Sequence, residues 1–315
     1  MLFIHHPTLA NAHTPRAVTI GNFDGVHIGH AAILDELVAH ANAHGLTPTV
    51  VTFSPNPKAF FAKQRGKAEP KRILPLRDKI NLFAQHGIEQ VVILPFNQAL
   101  ANMPAHEFVE YILCACLNTQ HLRVGDDFKF GAGRTGDFEL LRDLSNRHHY
   151  SLTAHHSIVH HSEHSSERVS STAIRHALHN GEPHTAAALL GHSYTLSGHV
   201  IYGQQLGRTI GIPTINLKMP EQLAAQGVYA VSITLNGKTH QGVASIGTRP
   251  SVKTNGQCWL EVFVFDFNES VYGDIACVTL QHKIRDEEKF EDMPTLLAAI
   301  NDDITQARSY FSQTN

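Results

Sequence analysis

The chain is poor in three features, and each narrows what it does. No apolar run approaches the roughly 20 residues of a membrane-crossing helix, so a helical membrane protein is not expected. Neither sign of charge is in excess: 25 Lys and Arg stand against 28 Asp and Glu, a formal net charge of −3. Nucleic acid and anionic membranes call for a basic surplus, and there is none. Four cysteines in 315 residues are too few and too scattered for a disulfide framework. Cys114 and Cys116, two apart in a helical pattern, point different ways. Met1 to Pro7 carries neither a basic stretch nor a long apolar core, so no signal peptide is expected. The expected setting is a reducing cytoplasm and small-molecule chemistry, without nucleic acid or membrane as partner; a homo-oligomer stays open. The length suits two domains.

What the chain does have is histidine, 24 in all. At that frequency a bare His-x-x-His carries no information, and context has to supply it. Thr19-Ile20-Gly21-Asn22-Phe23-Asp24-Gly25-Val26-His27-Ile28-Gly29-His30 supplies it, reading as strand, glycine-rich turn and helix start. Gly21 and Gly25 are free to take positive φ and to leave room for a ligand. The helix start offers unpaired N–H groups to a phosphate. His27 and His30 then share a face, placed to stabilise charge on a transferring phosphoryl group.

Strand candidates Val18–Ile20, Thr49–Phe53, Val91–Leu94 and His121–Val124 alternate with helical patterns near 29–43, 76–86 and 105–117. Such alternation predicts a parallel sheet covered on both faces, with ligands at the carboxyl ends of its strands. The loop around Pro55 and Pro57 is expected to stay out of helix. Phe60 and Phe61 read equally well as the wall of a flat pocket and as a core anchor. The loop 124–137 carries glycines, Asp126, Asp127, Phe128, Phe130, Lys129 and Arg134, and reads as a substrate loop. Histidine doublets over 146–168 point to opposite faces in extended chain, so a solvated segment rather than a metal site is expected there. Ser170-Ser171-Thr172 is a helix N-cap signal, and with Arg175 it is either a second anion cradle or an ordinary cap. Gly181 to Gly191 reads as a short helical connector.

From Tyr194 the pattern changes to short β-runs: Thr195–Tyr202, Gly227–Leu235, Thr239–Ile246, Trp259–Phe267 and Ala276–Lys283. Asn236-Gly237 is a hairpin turn. A small antiparallel barrel or sandwich follows, closed by an amphipathic helix near Met293–Tyr310. Gly203-x-x-x-Gly207-Arg208-Thr209 is one residue short of a Walker loop and leads into Pro213, not a helix, so it is not one. A glycine-rich β-loop through Gly211 still suits phosphates. Thr214 and Asn216, two apart in extended chain, put two neutral oxygens on one face, which suits Mg2+. Glu261, in an apolar strand and expected to face the barrel interior, is a candidate base.

These motifs, together with Gly242–Pro250 and Glu261–Tyr272, run in order along nearly the whole chain. The set resembles the bacterial bifunctional riboflavin kinase/FAD synthetase family. The resemblance implies a nucleotidyltransferase-like, Rossmann-like α/β domain over 1–185 and a flavokinase β-barrel with a terminal helix over 186–315. It implies two reactions: riboflavin to FMN with ATP, then FMN to FAD with a second ATP. His27, His30 and Arg175 would serve adenylyl transfer, and Glu261 would activate the riboflavin hydroxyl. Gly21, Phe23, Asp24, Gly25, Pro55, Pro57, Asp127, Phe128, Arg168, Ser171 and Thr172 would hold nucleotide and FMN. In the barrel, Gly203, Gly207, Arg208, Thr209 and Gly211 would cradle ATP, with Thr214 and Asn216 on Mg2+. The chain departs from the family at Ser54, at His192-Ser193 and at Ser245, where Asp, Arg-x and Asn are frequent. His27-Ile28-Gly29-His30 is also a class I aminoacyl-tRNA synthetase signature, but the lysine-rich loop that accompanies it there is absent. An adenylyltransferase with a non-catalytic flavin-binding barrel is the remaining alternative.

Overall fold

A computed structural model describes residues 1–314 except 157–158, 163–164, 204–206, 208–210, 221–222 and 249–256, and the side chains of 159–162 and 165–168. Two compact units are present: Met1–Pro70 with Lys79–Val169, and Lys71–Asp78 with Ser170–Asn315.

The first unit is a six-stranded parallel sheet in the order β1-β4-β3-β2-β5-β6. Its strands are β1 (Leu2–His5), β2 (Arg16–Ile20), β3 (Thr47–Ser54), β4 (Gln90–Pro95), β5 (Thr119–Gly125) and β6 (Ser151–His155). Every residue of β2 is buried, as a central strand covered on both faces requires. Around it lie α1 (Ile28–His44), α2 (Pro57–Gln64), α3 (Leu76–Gln85), α4 (Gln98–Asn102) and α5, which begins at Ala105–Glu107 and continues as a π-helix over Phe108–Cys116. α6 (Phe138–His148) follows β5. The π-helical segment buries Phe108, Val109, Ile112 and Leu113 against Val18, Leu122 and Val124. Chain order reverses between β2 and β5, which pair directly, so the loops leaving these two strands flank the crevice where open α/β sheets bind ligands.

Two expectations for this unit are corrected. Pro57 does not keep its loop out of helix: it is the first residue of α2, with the Asn56 side chain accepting from Lys58 N. A proline there gives up an N–H that would be unpaired anyway. The histidine-rich stretch is not simply a solvated segment. It supplies β6, paired with β5, and a hairpin of β7 (Val159–Ser162) and β8 (Ser165–Arg168).

The second unit contains a closed antiparallel barrel in the order β10-β13-β12-β11-β14-β9. Its strands are β9 (Thr195–Ile201), β10 (Ile215–Met219), β11 (Gly227–Leu235), β12 (Lys238–Thr248), β13 (Cys258–Val264) and β14 (Ile275–Arg285). Asn236 and Gly237 both take positive φ, 48° and 77°, as the two-residue hairpin between β11 and β12 demands. α7 (Ser171–Asn180) and α8 (Pro183–Leu190) precede the barrel, each ending on a left-handed glycine, Gly181 and Gly191. The C-terminal helix α9 (Met293–Thr314) lays Ala307 and Phe311 on Val228, Ala230, Val243 and Phe265. The short piece Lys71–Asp78 is bound by polar contacts that its sequence does not advertise. Tyr194, 1% exposed, donates its hydroxyl to the Ile73 carbonyl (2.7 Å), and Ser197 donates N–H and hydroxyl to the Asp78 carboxylate.

Candidate active sites

In the first unit the site is built at the junction of β2 and α1. His27 is the N-cap of α1, its Nδ1 accepting from His30 N (3.3 Å). With Nδ1 accepting, the proton of the neutral ring belongs on Nε2, which is thereby left as a donor. The two imidazoles stack at 3.6 Å with 15° between planes. Burial lowers His27 to about 4. Burial first, then the neighbouring His27 and Lys79, hold His30 well below the ordinary imidazole range. At neutral pH the pair is therefore two uncharged rings at the start of α1, where the His30 N–H is already taken by His27 Nδ1 and the earlier first-turn N–H groups have no partner within the helix. Gly25 takes φ 88°, as expected, but Gly21 is not left-handed. Instead Phe23 and Val26 carry positive φ, 47° and 45°, and both are buried. Strain of this kind in non-glycine residues persists only where surroundings impose it. Phe23 does not present its ring to a ligand crevice: the ring is 2% exposed and packs edge-on against His30 (5.1 Å) and Phe83 (5.5 Å). Asp24 is half-buried beside His27, whose charged form it favours.

The other expected residues of this unit are spread along its carboxyl edge. Pro55 is exposed in the loop after β3 and Pro57 opens α2. Phe60 and Phe61 meet each other and Phe96 at 5.4 to 5.7 Å, which makes them an aromatic anchor for that loop. After β5, Asp127 is exposed, and Phe128 stacks on Phe130 (5.5 Å, 13°), which is buried. Arg168 closes β8; its side chain lies outside the described residues.

In the second unit, Ser170 caps α7 by accepting from Ala173 N (3.2 Å). Ser171 and Thr172 form its first turn, Thr172 exposed. Arg175 donates from Nε to the Lys71 carbonyl (2.7 Å) and from Nη1 to the Ser171 carbonyl (3.1 Å), so part of its guanidinium holds backbone.

The barrel site gathers what the chain separates. Asn216 on β10 lies directly opposite Glu261 on β13, and Glu261 also lies opposite Ser245 on β12. Directly paired residues hold their Cβ atoms about 5 Å apart. Asn216, 5% exposed, donates from Nδ2 to the Thr214 carbonyl (3.1 Å) and to Thr214 Oγ1 (3.4 Å), so the two side chains share a face as their spacing requires. The expectation that Glu261 faces the barrel interior is corrected. Cys258, Leu260, Val262 and Val264 fill the interior, and Glu261 alternates with them onto the half-exposed outer face. That face borders a cavity of about 380 Å3 lined by Thr214, Asn216, Glu261, Arg285, Glu287 and Asp303. A second cavity of about 330 Å3, lined by Val200, Pro213, Phe267 and Tyr272, also touches Thr214. Thr214 thus lines both cavities. Gly203 sits so close to Asn216 that a Cβ would fall 2.5 Å from its carboxamide oxygen. Gly207 accepts from Ile212 N (2.7 Å), and Gly211 is left-handed at φ 80°. Arg208 and Thr209 lie outside the described residues.

Three groups here escaped the sequence. Lys79, 8% exposed, sits below the Gly21–His27 loop. Arg285 pairs with Asp303 through two contacts of 2.8 Å at the cavity wall. Glu287 hangs over Ser245, with burial and the nearby Glu261 raising its pKa. Only the spacing of Asp303 within the apolar stripe of α9 hinted at any of them.

A parallel α/β unit with a glycine loop and stacked histidines at its switch point, joined in one chain to a small barrel with a carboxylate beside an amide, is the pattern of a nucleotide-using transferase pair. The FAD synthetase family model matches residues 9–173, and the riboflavin kinase family model matches 190–311. The bifunctional riboflavin kinase/FMN adenylyltransferase of Haemophilus influenzae is 39% identical over 298 residues, 94% of each chain. That of Escherichia coli K12 is 39% identical over 299 residues, 94% of this chain and 93% of its own. That of Listeria monocytogenes is 33% identical over 316 residues, 99% of this chain and 98% of its own. This chain belongs to the bifunctional riboflavin kinase/FMN adenylyltransferase family. A crystal structure described as a macrolide-efflux protein from Streptococcus pneumoniae shares its architecture, with a TM-score of 0.74 at 27% identity over 96% of this chain and 97% of its own. Among the described residues no helix is long and apolar enough to cross a membrane.

Proposed function

We propose that the chain makes FAD from riboflavin in two transfers, each consuming an ATP. In the first, the riboflavin 5′-hydroxyl attacks the γ-phosphorus of ATP, its proton passes to a base, and ADP leaves. In the second, a phosphate oxygen of FMN attacks the α-phosphorus of another ATP and pyrophosphate leaves. The single-activity alternative has no support from the comparisons, because both family models match, and a barrel that only bound flavin would have no use for a base.

The observation that carries the kinase assignment is the direct opposition of Glu261 and Asn216 at a cavity wall, with Thr214 beside them. We assign Glu261 as the base. An alcohol is a poor nucleophile until its proton is removed, and phosphoryl transfer otherwise asks the protein mainly for positioning and charge stabilisation. Thr214 and Asn216 offer neutral oxygens, which fit a hard divalent cation that takes its remaining ligands from phosphates and water. The missing Cβ of Gly203 keeps the Asn216 carboxamide unobstructed. The enzyme uses ATP with a divalent metal, and we assign Mg2+. When bound, that ion neutralises charge on the phosphates. Gly203, Gly207, Arg208, Thr209 and Gly211 are assigned to the nucleotide cradle of this site.

In the adenylyl step the nucleophile is already an anion, so no base is needed. His27 and His30 are assigned to the α-phosphorus charge, with Gly21, Asp24 and Gly25 shaping the loop. Ser171, Thr172, Arg168 and Arg175 are assigned to pyrophosphate, and Pro55, Pro57, Asp127 and Phe128 to nucleotide and FMN. Phe23 contributes by supporting His30. We propose the domain boundary at 185/186, a position that falls between the two matched regions, whereas by compactness the second unit takes up the chain from Ser170. The compartment assigned is the cytoplasm, with no nucleic acid or membrane taking part.

The test is Glu261→Gln in the whole chain. Riboflavin phosphorylation is expected to fall by about 10²- to 10⁴-fold while adenylylation of supplied FMN continues. Phosphorylation within threefold of the unmodified chain refutes the assignment of Glu261.

A further inference from the structure

Lys79 belongs to none of the groups assigned above, yet it is among the most deeply placed cations of the first unit. Its Nζ donates to the Asn22 carbonyl (2.9 Å) and to Thr52 Oγ1 (3.2 Å), and only 8% of the residue is exposed. A buried ammonium is costly to desolvate, and its hydrogen bonds have to offset that cost. Asn22 sits in the glycine loop, next to Phe23, whose φ of 47° has to be imposed from outside. One turn along α3, on the same helix face, Phe83 packs against the Phe23 ring, and Phe23 packs against His30. α3 thus grips the loop twice, by backbone through Lys79 and by side chain through Phe83.

We propose that Lys79 is a positioning residue for adenylyl transfer, pinning the glycine loop so that His27 and His30 present their rings to the nucleotide. The inference rests on the assignment of these histidines to that reaction. The charges acting on His30 are Lys79, from α3, and His27, from the N-cap of α1; Asp24, in the loop, acts on His27. Burial is the largest cause that disfavours a proton on His30, and since His27 is itself uncharged at neutral pH, Lys79 is the standing cation that helps keep the ring neutral.

The test uses the full-length chain with Mg2+-ATP, measuring FAD formation from FMN and FMN formation from riboflavin in the same preparations. Lys79→Met is expected to lower kcat of adenylylation by 10- to 100-fold with a smaller change in KM for ATP, and to leave phosphorylation within twofold. Lys79→Arg is expected to recover much of the loss. Without the Lys79 cation His30 protonates more readily, so the acid limb of kcat/KM for adenylylation moves to higher pH in Lys79→Met. Adenylylation within threefold of the unmodified chain overturns the proposal. So does an equal fall in both activities, which would make Lys79 a residue of the fold alone, or an unmoved acid limb with Lys79→Arg no better than Lys79→Met. Where Lys79→Met does not accumulate, Thr52→Val removes one acceptor at constant volume; a loss of at least threefold in adenylylation alone supports the proposal, and no loss overturns it. An unmodified chain that makes no FAD refutes the activity itself and not the role of Lys79.

Discussion

The first unit should be acid-labile, and His121 allows the effect to be measured one residue at a time. His121 is 1% exposed on β5, with its Nδ1 2.8 Å from Ser151 Oγ and its Nε2 buried without a partner. Ser151 in turn donates to the Gln120 carbonyl (3.2 Å), so the imidazole proton belongs on Nδ1. A second proton would place an N–H in a dry site beside Arg123 and the His40 ring stacked at 3.7 Å. Burial, then the charges of His40, Arg123 and His44, lower its pKa from 6.5 to about 4. Between these two values the unfolded chain binds a proton that the folded one refuses. Stability is therefore full above about pH 6.5 and falls as pH drops towards 4. At pH 5 the unfolded imidazole is almost wholly protonated and the folded one hardly at all, a loss of about 2 kcal/mol from His121 alone. His27 has a similar shift and adds a similar loss. Together they consume a large part of an ordinary domain's stability of about 5–15 kcal/mol. His121→Gln cannot titrate, so its destabilisation relative to the unmodified chain should shrink by about 2 kcal/mol between pH 7 and pH 5. The chain's one tryptophan, Trp259, lies on β13, so its fluorescence follows the second unit in urea, while far-ultraviolet circular dichroism follows both. Parallel stability-against-pH curves for the two proteins would refute the reasoning.

Two further outcomes follow from the barrel. Gly203→Ala drives a Cβ into the Asn216 carboxamide at 2.5 Å, so riboflavin phosphorylation should fall at least tenfold while adenylylation of FMN is kept; equal rates before and after would remove Asn216 from the kinase site. Asp303→Ala takes both 2.8 Å contacts from Arg285 at the wall of the larger cavity, leaving it Glu288 (3.3 Å) and the Asp286 carbonyl (3.1 Å), and should cost the barrel about 2 kcal/mol by Trp259 fluorescence in urea. Arg285→Met with Asp303→Leu should recover most of that loss, because the pair's main contribution is to satisfy itself; a double variant as unstable as the single one contradicts this.

What could be read from the sequence, and what could not, divides along distance in the chain. β2, β3 and β4 were legible as short continuous apolar runs, buried on both faces, and α1 and α3 as the longer helical stretches between them. β1 was missed because it is a short edge strand with one buried residue in four, and β6 because histidine and serine mask its alternation. β10 hid behind the glycine-rich loop that precedes it, although the two-residue spacing of Thr214 and Asn216 already required extended backbone. The site residues follow the same division. His27 with His30, and Thr214 with Asn216, are close in sequence, so their common faces follow from geometry alone. Glu261 was picked out for a wrong reason, an interior position; its significance comes from standing opposite Asn216, a partner 45 residues away that only strand register identifies. Lys79 meets Asn22 across 57 residues, and no local pattern distinguishes it from the other lysines. The groups assigned to substrate were therefore visible as motifs, whereas those that hold them in place are defined by tertiary pairing. A sequence reading of such a site finds residues that share a local motif and misses those brought in by tertiary pairing, and Lys79 is where that difference is open to measurement.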